Sequence, residues 1–98
     1  MYAHLAVHAP SDDRREEVRA ILEEVGGAVL HGAPGLIATL SGEETGTGRL
    51  MYLTLWNDQA EFDAVLPAIV EAIGRTEVHS WATRPAEVVR FGQLPDPA

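Results

Sequence analysis

Residues 34–62 read PGLIATLSGEETGTGRLMYLTLWNDQAEF. Two runs in this stretch, residues 36–40 and 49–56, alternate in the manner of β-strands, and a glycine-rich loop at residues 42–48 separates them. Asp58 then precedes Glu61 by the spacing of a capping box, which indicates the beginning of a helix. The stretch therefore predicts a β-hairpin that leads directly into a helix.

The second strand of this hairpin is apolar on both faces. One face carries the side chains of Leu50, Tyr52, Thr54 and Trp56. The other carries Met51, Leu53 and Leu55. Because a strand with two apolar faces is covered on both sides, we expect one layer of structure above the sheet and another below it.

A strand and a helix are predicted before the hairpin. Residues 2–8 alternate as a strand does. Apolar residues then recur at helical spacing at Val18, Ile21, Leu22 and Val25. We expect this helix to begin near residues 11–13, with Asp13 and Glu16 as a capping box, and to end or fray at Gly26 and Gly27. Residues 28–31 then form either one more helical turn or a connector.

A helix and a strand are predicted after the hairpin. The helix carries an apolar stripe from Phe62 to Ile73, and Pro67 within it predicts either a kink or two short helices. The last strand is expected within residues 86–91. Residues 93–98 contain two prolines and are expected to form a disordered tail, which leaves residues 1–92 as a single domain.

The element order is therefore β-α-β-β-α-β, the ferredoxin-like pattern of the α+β class. It predicts a four-stranded antiparallel sheet with both helices packed on one face. The other face has no covering element of its own, and the economical cover is a second copy of the same sheet. We expect a homodimer formed by sheet-to-sheet packing.

Composition narrows the function classes. The chain has 98 residues, no cysteine, and seven arginines without a lysine against fifteen acidic residues, for a formal charge of −8. That charge repels phosphate backbones, so nucleic acid is not an expected partner. No run approaches the ~20 apolar residues that span a bilayer, and no secretion signal is present, so we expect no membrane association and a cytoplasmic location.

Residues 34–62 also resemble a known family. The Pro34-Gly35-Leu36 turn, the strand that ends in Trp56 and the helix start that ends in Phe62 are similar to the antibiotic biosynthesis monooxygenase family of dimeric α+β barrels. This resemblance implies the fold above. It also implies one of several activities, because the family includes oxygenases of anthrones and quinols that use no cofactor, haem-degrading enzymes, and proteins without a known activity.

The chain departs from the family pattern at two places, and each departure argues against one of these activities. Anthrone oxygenases of the family place an asparagine four residues before the tryptophan, where this chain has Tyr52. Haem-degrading members use a histidine and a tryptophan on the second helix, and residues 59–75 contain neither. The haem-degrading mechanism is therefore not predicted, and no cofactor or metal is expected.

Five residues are the candidate site. Tyr52, Thr54 and Trp56 share one strand face, and with Phe62 they are expected to shape an apolar pocket for a flat aromatic substrate. The alternative for Trp56 is a core anchor beside Phe62. His4 is the candidate general base and Tyr52 the hydrogen-bond donor to the substrate oxygen, because a cofactor-free oxygenase must deprotonate its substrate before it reacts with dioxygen.

Other residues are ambiguous in the sequence. His8 shares a strand face with His4, but about 13 Å of strand separates them, too far for one metal ion. The roles of His8, His79 and Trp81 stay open, and Trp81 is expected at the dimer seam or the pocket. Three arginines could either bind an anionic substrate or pair with acidic residues on the surface: Arg49, Arg84 and Arg90. We expect surface pairing.

The sequence thus favours a monooxygenase that acts on a quinol- or anthrone-type aromatic molecule without a cofactor. The alternative is a non-catalytic dimeric module of the same fold that binds a small ligand or a partner. A cavity between sheet and helices that contains His4 or Tyr52 favours the enzyme, whereas tight packing there favours the module.

Overall fold

The chain folds in the predicted order, and the α+β ferredoxin-like class is confirmed. The computed structural model describes residues 1–95, in which four antiparallel strands form one sheet in the order β2-β3-β1-β4. The elements are β1 (Tyr2–Pro10), a 3₁₀ turn (Asp12–Arg14), α1 (Arg15–Leu30), β2 (Leu36–Glu43), β3 (Leu50–Trp56), α2 (Gln59–Gly74) and β4 (Ala82–Phe91).

The pairing of the two central strands decides which side chains face the helices. β1 and β3 pair antiparallel from Tyr2 opposite Trp56 to His8 opposite Leu50, without a shift. Residues directly opposite in such a pair share a face of the sheet. His4 therefore lies opposite Thr54, on the same face as Tyr52 and Trp56.

The core lies between this face and the helices, in two clusters. The first cluster consists of Tyr2, Leu30, Trp56 and Phe62. The second consists of Val18, Leu22, Leu50 and Val78. Tyr52 packs against both clusters, and Trp81 packs against the second, so Trp81 serves the core of its own chain.

Helix α1 differs from the sequence expectation at its beginning, and at its end it forms the additional turn that the sequence left open. It begins at Arg15 after the 3₁₀ turn, without a side-chain cap, so the expected capping box at Asp13 is not formed. It also continues through Gly26 and Gly27 to Leu30. Two glycines cost about 1 kcal/mol each in a helix, and the burial of Leu30 in the first cluster offsets that cost.

Helix α2 begins as predicted and runs unbroken to Gly74. The Asp58 carboxylate accepts a hydrogen bond of 2.9 Å from the backbone N–H of Glu61, as an N-cap does. The helix then runs through the exposed Pro67 as one element, so the alternative of two short helices is wrong.

Strand β4 begins at Ala82, earlier than the predicted residue 86. The additional residues at the beginning of β4 include Pro85, which lies outside the predicted strand. β4 is an edge strand, and its pairing with β1 shifts register between Val7 and Ala9. A proline is tolerated at such a position because an edge or bulge residue needs no N–H for the ladder.

The opposite face of the sheet is apolar and uncovered by any element in residues 1–95. Its centre is formed by Leu5 and Leu53, which oppose each other in the pairing of β1 and β3. Further out, Leu40, Val89 and Phe91 are exposed. We call this surface the open sheet face.

The two ends of the described chain meet. The backbone N–H of Leu94 donates to the carbonyl of Met1 over 3.0 Å, and the N-terminal amine donates to the carbonyl of Leu94 over 2.8 Å. Ordered backbone pairing thus extends two residues past the expected domain end at residue 92. The last part of the expected tail, residues 96–98, lies outside the described residues.

No helix within residues 1–95 combines the length and the apolar character needed to cross a bilayer. The cytoplasmic location stays a prediction.

Candidate functional site

A cleft lies between the sheet and the two helices. Its cavity measures about 80 Å³, and the surrounding space between atoms, part of it open solvent, brings the total to about 500 Å³. Its floor is formed by β1 and β3, from which His4, Ala6, His8, Tyr52 and Thr54 point inward. Its roof is formed by aliphatic side chains of α1 and α2, so a ligand would meet an apolar roof and a floor with four polar side chains.

His4 lies at one end of the floor. Its ring stacks on Phe62, with centroids 4.4 Å apart and planes 25° apart. Burial, and to a lesser extent the nearby charge of Arg90, lowers the pKa of His4 below its ordinary value. The imidazole is therefore neutral near pH 7, the form that accepts a proton from a substrate.

Tyr52 lies at the middle of the floor. It is opposite Ala6 on β1, so it stands between His4 and His8 along the strand direction. Its hydroxyl reaches the backbone of α1 at Gly26. Among residues 1–95 the hydroxyl makes no hydrogen bond, which leaves it free to donate one to a ligand oxygen in the cleft.

Gly26 is a site residue that the sequence reading missed. A β-carbon at this position would collide with the Tyr52 hydroxyl and would stand 2.8 Å from its Cζ. The signal in the sequence was the spacing, because Gly26 falls four residues after the buried Leu22 and four before the buried Leu30. A glycine on the buried stripe of a helix indicates a close approach by another group, which we read instead as a helix end.

Trp56 and Phe62 do not line the cleft, contrary to the expectation that they form its walls. Both side chains are fully buried, and their rings meet edge to face with centroids 5.7 Å apart. Trp56 Nε1 donates to Thr54 Oγ1 over 2.8 Å, so the tryptophan holds a floor residue from behind. The alternative for Trp56, a core anchor beside Phe62, describes its position.

His8, whose role is open in the sequence, forms the other end of the floor. Burial, together with the nearby His79, lowers the pKa of His8. His79 itself is exposed in the segment between α2 and β4. Within residues 1–95, no group of three or more histidine, aspartate or glutamate side chains is placed to hold a metal ion.

Comparison with known proteins finds similarity in three-dimensional structure and none in the sequence comparisons. No protein-family profile matches it, and no curated protein sequence is similar to it. Rv0793 from Mycobacterium tuberculosis is 20% identical, and the match covers 99% of this chain and 98% of that one with a TM-score of 0.82. An antibiotic biosynthesis monooxygenase is 14% identical over 97% of this chain and 100% of its own, with a TM-score of 0.78.

A variant of MhuD with two manganese protoporphyrin IX molecules per active site is also similar in structure. It is 15% identical, and the match covers 100% of this chain and 99% of that one with a TM-score of 0.78. These similarities confirm the fold of the antibiotic biosynthesis monooxygenases that the sequence resemblance implied.

The contact between Gly26 and Tyr52 yields a first prediction. Replacing Gly26 by alanine forces Tyr52 or α1 to move, and we expect the free energy of unfolding to fall by about 1–3 kcal/mol. Gly27→Ala is the matched control, because no atom lies within 4 Å of a β-carbon there. It should stabilise the chain by about 0.5–1 kcal/mol. Urea unfolding of both variants measures this, and equal effects at the two positions would contradict the contact.

The histidines of the floor yield a second prediction. Their pKa values are lowered in the folded chain, so below about pH 6.5 the unfolded chain binds more protons. The free energy of unfolding should therefore be flat above that pH and should fall as the pH decreases further. His4→Gln should remove part of the slope, and His31→Gln, at an exposed turn position, should leave it. A slope that is the same in all three proteins would exclude His4 as its source.

Proposed function

We propose that this protein is a monooxygenase that acts, without a cofactor, on a small aromatic phenol, quinol or anthrone-type molecule. The observation that carries the proposal is the cleft, in which a neutral histidine and an unpaired tyrosine hydroxyl share an apolar chamber. The fold it shares with antibiotic biosynthesis monooxygenases is consistent with that chemistry.

His4 is assigned the proton transfer. Stacking on Phe62 restricts rotation of the imidazole on the floor of the cleft, which favours a fixed position for the base. Removal of a proton from the substrate produces an electron-rich anion, which is the species that reacts with dioxygen. The lowered pKa of His4 keeps the base unprotonated and available at neutral pH.

Tyr52 is assigned the binding of the substrate oxygen. Its hydroxyl donates a hydrogen bond to the phenolic or carbonyl oxygen on which negative charge develops. For an anthrone, the anion adds dioxygen at carbon and the peroxide takes up the proton. Loss of water then leaves a carbonyl, so that CH₂ and O₂ become C=O and H₂O. Thr54 contacts the substrate from the floor, while Trp56 and Phe62 support the floor from behind.

We also propose that the protein acts as a homodimer through the open sheet face. The support is the exposed apolar surface around Leu40, Val89 and Phe91, which nothing in residues 1–95 covers. A contiguous apolar surface of this kind is characteristic of an interface. A small aromatic molecule and a second copy are thus the proposed partners, and a net charge of −8 disfavours nucleic acid.

Oxygen consumption tests the enzymatic proposal. Purified protein mixed with a panel of quinols and anthrones should take up dioxygen at a rate that falls about 100-fold or more in His4→Gln, the scale of a lost general base. Tyr52→Phe should lower the rate by a similar order through the lost hydrogen bond. His31→Gln, at an exposed position that does not line the cleft, should retain the full rate.

Saturable ligand binding without oxygen uptake by the wild-type protein would contradict the enzymatic proposal. That result would instead favour the non-catalytic binding module.

The dimer is tested with two substitutions of equally exposed residues. Leu40 lies on the open sheet face with 63% of its surface exposed, and Val70 lies on α2 with 62% exposed. Leu40→Glu places a charge in the proposed interface and should weaken dimerisation on the order of 100-fold. Val70→Glu should leave it unchanged. Sedimentation at several concentrations measures both, and a wild-type monomer at all of them would overturn the proposal.

A further inference from the structure

The arginines of this chain fall into two groups. Ion pairs with carboxylates within 4.0 Å are made by Arg14, Arg15, Arg19, Arg49 and Arg75. Of the seven arginines, this leaves Arg84 and Arg90 without such a partner among residues 1–95. Both side chains are exposed, so their guanidinium groups are accessible to a partner from outside the chain.

Arg90 lies beside the cleft, one strand outward from His4. The two residues are direct partners in the pairing of β1 with β4, so they share the helix-facing side of the sheet. The guanidinium carbon of Arg90 is 5.8 Å from the ring centroid of Phe62, the same ring on which His4 stacks. The attraction between the cation and the ring holds Arg90 next to the histidine.

This placement has an electrostatic consequence. A positive group beside His4 disfavours the protonated imidazole, and the chain supplies no carboxylate to offset the charge of Arg90 among its described residues. Arg90 is exposed, so its donors are free to bind a group from outside. A guanidinium presents a planar fork of N–H donors that matches carboxylate and other oxyanions.

We infer that Arg90 binds an anionic group of the molecule that occupies the cleft, and that the ligand is therefore an aromatic compound bearing a carboxylate or an ionised phenol oxygen. The inference rests on the proposed binding of an aromatic ligand in the cleft. The ring lies over the floor between His4 and Tyr52, and the anionic group points outward to β4. The overall charge of −8 repels anions, so this local contact selects the acidic ligand.

The assignment also fits the proposed chemistry. Deprotonation of the substrate by His4 creates further negative charge close to Arg90, and a fixed positive group stabilises that charge. Arg90 is thus a binding residue that sets specificity, and it needs no proton transfer of its own.

The test compares three aromatic probes by isothermal titration calorimetry near neutral pH. α-Naphthol is uncharged, ortho-carboxy-α-naphthol carries a carboxylate, and para-nitro-α-naphthol carries an ionised phenol oxygen. Wild-type protein should bind at least one anionic probe about tenfold more tightly than α-naphthol, the scale of one charge-assisted hydrogen bond. High salt should reduce that preference.

Three arginine variants separate the local contact from general charge. Arg90→Gln should abolish the preference and leave the affinity for α-naphthol within about twofold, because only one charged hydrogen bond is removed. Arg84→Gln removes the same charge from the same strand, also from an arginine that makes no ion pair within residues 1–95, and should keep the preference. Arg90→Lys should restore part of it, because the charge remains without the fork. The probe that loses affinity in Arg90→Gln identifies whether carboxylate or phenolate is bound.

A second readout places Arg90 beside His4 in solution. In Arg90→Gln the NMR titration of the His4 ring should shift to higher pH, since the neighbouring charge that lowers its pKa is gone. A preference that persists in Arg90→Gln, or equal binding of all three probes by the wild type, would overturn the inference. Neither result depends on oxygen uptake, so failure of the oxygenase proposal is recorded separately.

Discussion

The antiparallel pairing of β1 with β3 is the constraint on which the site depends. It runs without a shift from Tyr2 opposite Trp56 to His8 opposite Leu50. Because side chains alternate between faces, a slip of β1 by one residue would move His4 and His8 to the open sheet face and leave the cleft without a histidine. The buried Tyr2 at one end of the pairing opposes such a slip, since it would expose the tyrosine ring.

The aromatic residues of the core also support the candidate base, His4. Phe62 is fully buried between Trp56, His4 and Tyr2, with ring centroids 5.7, 4.4 and 5.5 Å away. Its position follows from the N-cap at Asp58, which starts α2 directly after β3. A cap on the protein surface thus sets where the ring that supports the candidate base lies, and the stability of the first cluster and the orientation of His4 are not separable.

The two faces of the sheet have different roles, and this difference explains why β3 is apolar on one face and mixed apolar and polar on the other. The helix-facing side chains combine core packing with a polar floor, as Tyr52 packs on both clusters and also points its hydroxyl into the cleft. The side chains of the open sheet face, among them Leu5 and Leu53, are apolar and do not line the cleft of their own chain. Arg90, on the edge strand β4, makes no ion pair within residues 1–95 and lies near the His4 end of the cleft.

Alternation and capping signals determined much of this protein from the sequence alone. They predicted the element order, the Asp58 cap and the shared face of Tyr52, Thr54 and Trp56, because these depend on neighbours along the chain. Tertiary packing decided the rest. α1 continues through Gly26 because Leu30 is buried beyond it, and Trp56 lies behind the floor because depth in the core is set by the opposing helices. The neighbours of Gly26 and Arg90 come from distant parts of the chain, so a local pattern can indicate a close approach at Gly26 but cannot identify the partner.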